Sequence, residues 1–210
     1  MKEKYQIEYE NSNGCFWAKE PAKFVKLFVK KYCADLRGLK GLDLGAEEGK
    51  NAVFLASKGA KVLAIDISTI ALSRFNQQPN YSIAQNSVEV KCSDIRDINF
   101  DAGSFDFIVA YGILYCLSST EEVKTYIEKI KSWIVPNGYF ICVTFTNELP
   151  PPQSQSYLEY ESFLKKGELE KSLDDWTILE QENDVITETH PTCPIEHKHS
   201  LIRLIAKKHG

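Results

Sequence analysis

Apolar positions along the chain alternate between two periods. A polar lead-in over residues 1–20 precedes a stripe at helical spacing, Phe24, Val25, Phe28, Val29 and Tyr32, which predicts a helix from about Pro21. Leu42 and Leu44 then mark a short strand. Ala52, Val53, Leu55 and Ala56 share one helical face, and Val62-Leu63-Ala64-Ile65 is an apolar run of strand length. Ser68 is an N-cap candidate for a helix carrying Ile70, Ala71 and Phe75, which Pro79 stops. Val88 to Cys92 alternates as a strand, and Phe105 to Ala110 is a buried one. Ser119 opens a helix through Trp133, and Pro136-Asn137-Gly138 turns into a strand from Tyr139 to Phe145. Beyond the break at Pro150-Pro151-Pro152 come a short amphipathic helix and two strands, around Trp176 to Glu182 and His199 to Ala206. Strands separated by helices predict an α/β fold with a doubly wound, mostly parallel sheet. One domain is expected over residues 1–210: an N-terminal lid and helix to 35, a core over 36–146, and the remaining loops and strands beyond it.

The unit from Gly41 to Ser68 carries the chemistry. Gly45 and Gly49 bracket a turn between strand and helix where the backbone bends and a ligand can come close. Asp66 ends the second strand, where a ribose diol finds a two-oxygen acceptor. Nicotinamide or flavin dinucleotides and S-adenosylmethionine both use this layout. The spacing here is D-L-G-x-x-x-G rather than G-x-G-x-x-G. Asp43, Glu47 and Glu48 would repel a pyrophosphate but not a sulfonium or an ammonium, so S-adenosylmethionine is the expected cofactor.

These residues resemble motif I and the following acidic motif of class I S-adenosylmethionine-dependent methyltransferases. The run EEGKNAVFLASKGAKVLAIDIS is similar to the small-molecule branch that includes the tellurite-resistance methyltransferases. FWAKEP, FDFIVAYGILYCL and WIVPNGYFICVTF extend the likeness over roughly residues 16–146. The resemblance implies a Rossmann-like sheet of seven strands, the last antiparallel, and methyl transfer to a small-molecule acceptor (a thiol, a metalloid, or an O or N nucleophile). It also implies that Asp94 faces the adenine amine and that Trp17 closes over the cofactor. The family usually places glycine at the middle of the loop, where this chain has Glu47.

Composition narrows the partners. With 43% hydrophobic residues the chain can bury a full core, and a net charge of −4 without a long Lys/Arg block argues against nucleic acid. Cys92, Cys116 and Cys142 fall in apolar patterns and are expected as reduced core residues. The N-terminus shows no apolar signal region and no segment approaches the ~18 apolar residues of a membrane span. A cytoplasmic monomer or homodimer, away from membranes, is expected.

Ligands of such sheets bind beyond the carboxyl ends of the strands. That selects Asp43, Gly45, Ala46, Glu47, Gly49 and Asn51 after strand one, Asp66, Ile67 and Ser68 after strand two, and Ser93, Asp94 and Ile95 after strand three. Tyr111 and Tyr115 follow strand four, while Arg96 and Asp97 read as surface. The lead-in aromatics Tyr5, Phe16 and Trp17 either pack as a staple or form a lid that excludes water. His190, His197 and His199 lie where an antiparallel last strand begins, and the segment from His190 to Glu196 is expected as a loop over the cofactor's methyl. They could orient the acceptor or take its proton, or be ordinary loop residues. The spacing H-x-x-C-x-x-x-H-x-H lacks the paired thiolates of structural zinc sites, and no metal is expected. A binding module without turnover, motivated by Glu47, and a dinucleotide-dependent oxidoreductase remain the alternatives.

Overall fold

The computed structural model describes residues 2–12, 19–153, 160–190 and 193–210. Seven strands form one sheet: β1 (Lys40–Leu44), β2 (Lys61–Asp66), β3 (Val88–Cys92), β4 (Phe105–Tyr111), β5 (Ile134–Phe145), β6 (Trp176–His190) and β7 (Cys193–Lys208). The spatial order is β3-β2-β1-β4-β5-β7-β6. Neighbours from β3 through β5 are parallel, and β7 runs antiparallel to both β5 and β6. Strand order reverses between β1 and β4, which opens a crevice at their carboxyl ends.

Seven α-helices flank the sheet among the described residues: α1 (Lys2–Glu10), α2 (Lys23–Lys31), α3 (Lys50–Ser57), α4 (Thr69–Ser73), α5 (Tyr81–Ala84), α6 (Thr120–Trp133) and α7 (Glu168–Lys171). Strand alternation divides the core. Ile108 and Ala110 of β4 face a layer with Val123, Ile127, Ile130 and Trp133 of α6, whereas Phe107 and Val109 face α2 and α3 through Phe28 and Ala52. Each of the larger aliphatic and phenylalanine side chains buried this way contributes roughly 1.5–3 kcal/mol. Helix α6 starts where the sequence predicts: Ser119 Oγ accepts from the Glu122 amide, and the Glu122 carboxylate accepts from the Ser118 amide. Ser68 caps α4 through the Ala71 amide at 3.2 Å.

Four expectations change. The polar lead-in contains α1, lying against α4 through Tyr9 and Ala71. The turn at Pro136-Asn137-Gly138 is an irregularity inside β5, where Asn137 takes φ 64° and the register against β4 shifts. Cys92 is exposed, because β3 is the sheet's edge, and only Cys142 of the three is fully buried. The last two strands are far longer than expected, so Cys193 to Glu196 belong to β7 and not to a loop. β-branched and apolar residues over Val185-Ile186-Thr187 carry β6 outward to pair with Lys198 to Ser200.

Candidate active site

The loop after β1 is held by the tip of β2. Asp66 is buried, and its two carboxylate oxygens accept the amides of Glu47 at 2.9 Å and Ser68 at 2.8 Å. The Ala46 amide donates to the Ile65 carbonyl and the Gly49 amide to the Ala46 carbonyl. Gly45 and Gly49 take φ 68° and 89°, and a Cβ on either would stand 2.9 Å from Ile113 or 2.6 Å from the Phe75 ring. Both glycines are therefore required by backbone and by space.

This loop floors a cleft beyond the carboxyl ends of the strands, where ligands of doubly wound sheets bind. Gly45, Glu47, Asp66 and Ile67 line one end. Ser93, Asp94, Ile95 and Arg96 line another side, and Gly112, Ile113, Tyr115, Cys116 and Leu117 the wall after β4. Helix α1 closes the cleft with Tyr5 and Tyr9. The Tyr5 hydroxyl lies 3.6 Å from Cys116 Sγ, and burial pushes that thiol up to about 12, so it stays protonated.

Charge in the cleft is negative and poorly solvated. Burial raises the pKa of Glu47, opposed by the Lys50 ammonium 2.9 Å away. Burial also raises Asp66, opposed by the amides it accepts. Behind them Asp43 is pushed up to about 8, chiefly by burial and then by the Glu47 charge, while Lys50 and the Ala52 amide act against the shift. Asp94 is gripped by Arg96, whose Nε and Nη2 reach its carboxylate at 2.9 and 2.6 Å. Arg96 is thus part of the cleft and not a plain surface residue.

Six of the expected cofactor residues stand off the cleft wall. Asp43 lies beneath it, 1% exposed and facing the first turn of α3. Ala46 is buried with the α2 and α3 layer, and Gly49 packs on Phe75. Asn51 accepts the Ala22 amide, tying α2 to α3, and Ser68 is committed to its cap and to Gln6. Tyr111 turns to Arg203, whose charge lowers a hydroxyl pKa that burial raises. Trp17 lies outside the described residues, as does the side chain of His190.

Tyr115 links the cleft to the histidines. Its ring stacks on Phe145 at 4.0 Å between centroids, and Phe145 stacks on His199 at 4.2 Å. His199 meets His197 edge to face and has Nε2 3.5 Å from the Glu188 carboxylate. His197 and His199 are both buried, as interior positions of β7 rather than loop residues.

The family model described as "Tellurite resistance protein TehB" matches residues 25–199. The chain belongs to the TehB family. Its fold is the Rossmann-like one of solved S-adenosylmethionine-dependent methyltransferases. It is 25% identical over 158 residues to a probable S-adenosyl-L-methionine-dependent methyltransferase TehB of Haemophilus influenzae, covering 73% of this chain and 51% of that protein. A carboxy-S-adenosyl-L-methionine synthase of Shewanella halifaxensis is 24% identical, covering 75% of this chain and 70% of that one. A hemagglutinin 1 of Eikenella corrodens is 28% identical, with 81% and 55% covered, so the chain spans about half the length of two of these relatives. Among solved structures, TehB from Haemophilus influenzae superposes with a TM-score of 0.72 at 22% identity over 99% of this chain and 67% of that one.

Glu47 itself adopts φ 52°, the left-handed region that glycine favours. Several cleft residues carry no functional mark in the sequence. Cys116 and Leu117 have ordinary core-like surroundings in sequence, and Tyr9 stands in a polar one. The i to i+4 spacing of Tyr5 and Tyr9 in a polar segment is the one signal that could have found the helix carrying them.

Proposed function

We propose that the chain binds S-adenosylmethionine in this cleft and transfers its methyl group to a small-molecule acceptor. The observation that carries the reading is the set of buried acids at the glycine loop. Glu47 and Asp66 line the cleft with pKa values raised by burial, and a cationic ligand would relieve that strain. A pyrophosphate would add to it, which disfavours the dinucleotide alternative. Asp66 would accept the ribose diol with the lone pairs its amide partners leave, and Asp94, oriented by Arg96, the adenine amine. When bound, the cofactor supplies a methyl already activated by a positive sulfonium.

The protein's task is then alignment and exclusion of water, effects that can supply ~7–11 kcal/mol of the barrier. Tyr5, Tyr9 and Tyr115 offer aromatic faces to the sulfonium, and α1 covers the opening. The TehB name points to a metalloid oxyanion as one acceptor class, and a thiol needs equally little base catalysis. The test is calorimetric titration with S-adenosylmethionine, its demethylated product and NADH, followed by methyl release over thiols, metalloid oxyanions, amines and alcohols. Binding of the first two and not NADH is expected. Asp66→Asn should weaken the cofactor about ten- to a hundredfold, the loss of a charge-assisted diol contact of about 1.5–3 kcal/mol. Unchanged affinity would remove Asp66 from the site, and tight binding without transfer to any acceptor would favour the module without turnover.

A further inference from the structure

The hairpin of β6 and β7 gathers two imidazoles and a carboxylate outside the cofactor cleft. Glu188 and His197 are cross-strand partners, and His199 follows His197 on the same face of β7. One ligating atom from each of the three lies within 4.8 Å of the others. We propose that Glu188, His197 and His199 form a binding site for a divalent transition metal, zinc being the best match, with at least one coordination position left open.

Two imidazoles and one carboxylate are a donor set that zinc accepts, and three protein ligands leave the fourth position to water or an anion. Ligand atoms around tetrahedral zinc stand roughly 3.4 Å apart, given metal-ligand distances of about 2.1 Å. The 3.5 Å between His199 Nε2 and Glu188 Oε1 already meets that spacing. Both rings are held in place before any metal arrives. His199 lies flat on Phe145 with an interplanar angle of 3°. His197 places Nδ1 2.8 Å from the Ile195 carbonyl, which can only accept, so Nδ1 donates there and Nε2 is the nitrogen that would ligate. Fixing a ligand's tautomer through a backbone carbonyl is how metal-binding histidines are commonly oriented. The histidines are 7% and 1% exposed while the Glu188 side chain is 29% exposed, so the cluster is walled on the imidazole side and reachable from the carboxylate side. Lys50, whose charge reaches Glu188, is itself neutralised by Glu47 at 2.9 Å.

The full chain, stripped with a chelator and dialysed, would be titrated with Zn²⁺ by calorimetry and with Co²⁺ by absorption. One equivalent of Zn²⁺ per chain is expected, with Co²⁺ giving visible d–d bands of a low-coordinate nitrogen and oxygen site. Glu188→Gln, an isosteric change at a partly exposed position, and His197→Ala should each weaken Zn²⁺ by at least about tenfold. His209→Ala, an exposed histidine at the far end of β7, should leave it unchanged. If His197→Ala fails to fold, Glu188→Gln decides alone. Substoichiometric Zn²⁺, a thiolate-to-cobalt charge-transfer band, or affinity unaltered by Glu188→Gln would overturn the site and leave the cluster as a histidine-glutamate pair.

Discussion

Glu47 concentrates the electrostatics of the cleft in one side chain. It bridges to Lys50, its own amide is fixed by Asp66, and burial holds its carboxyl above the ordinary value of 4.5. A ligand carrying sulfonium and ammonium favours the ionised form, so S-adenosylmethionine affinity should fall as pH drops through that raised value and recover above it. Binding at mildly acidic pH should also release protons, seen as a dependence of the calorimetric heat on the buffer's ionisation enthalpy. Glu47→Gln should remove most of that release, and proton uptake on binding would contradict the charge reading. The acids were legible in the sequence because a carboxylate at a strand tip has a fixed address in a doubly wound sheet. Arg96 was not, since a surface-like arginine becomes part of the cleft only by folding back on Asp94 two residues away. Nor could the pattern show that Asn51 and Ser68, at cofactor-like positions, would be spent on the Ala22 amide and the start of α4.

Helix α1 shows how an element can hide when tertiary contacts supply its stability. Its nine residues are mostly polar, and an isolated helix of that length is marginal in water. It is held by Arg74, which donates to the Tyr9 and Ser12 carbonyls at 2.7 and 2.9 Å and to Ser12 Oγ, while pairing with buried Glu48 at 3.0 Å. Helix α1 is thus fastened to the glycine loop. Arg74→Met should cost about 3 kcal/mol, because it removes the guanidinium that pairs with a carboxylate 2% exposed. Adding Glu48→Gln should recover much of the melting temperature but not the docking of α1, since the Arg74 bonds to the Tyr9 and Ser12 carbonyls are still missing. Hydrogen exchange should therefore stay fast over residues 2–10 in the double variant, with faster cofactor release. Exchange restored to the wild-type rate would show that α1 is held by its apolar contacts with α4 instead. The β6–β7 hairpin was under-read for a related reason: Glu182, Asn183, Asp184 and Glu188 interrupt its apolar pattern, yet Arg203 pairs with Glu182 and Asp184 across the strands.

The molecule as a whole carries two sets of acids with opposite effects on stability. Asp184 and Glu180 at the sheet's outer edge and Asp35 near the start of β1 have pKa values lowered by Arg203, Lys31 and Arg37 respectively, so their contribution is present above the ordinary carboxylate value and is lost as pH falls. Asp184 and Asp35 are exposed, Glu180 is half-buried at the surface, and solvent screens all three, so each contributes little. Asp43 works the other way. Its folded pKa of about 8 exceeds the unfolded 3.8, so over that window the unfolded chain gives up the proton while the native chain keeps it, and stability falls with rising pH until it levels beyond about 8. One Asp43 oxygen lacks a partner among the described residues, and Glu47 and Asp66 add their repulsion when ionised. Without ligand the protein should therefore be most stable on the acid side of neutrality, a maximum that scanning calorimetry at closely spaced pH values would locate. Asp43→Asn should flatten the decline toward pH 8 while leaving the acid limb in place, because that limb belongs to the exposed pairs. Saturating S-adenosylmethionine should flatten it as well in the wild type, since the bound cation offsets the same negative charge. A wild-type melting temperature that climbs steadily through neutrality without ligand would mean that Asp43 ionises at an ordinary pH, and the strained acid cradle would then be lost as the reason this cleft prefers a cation.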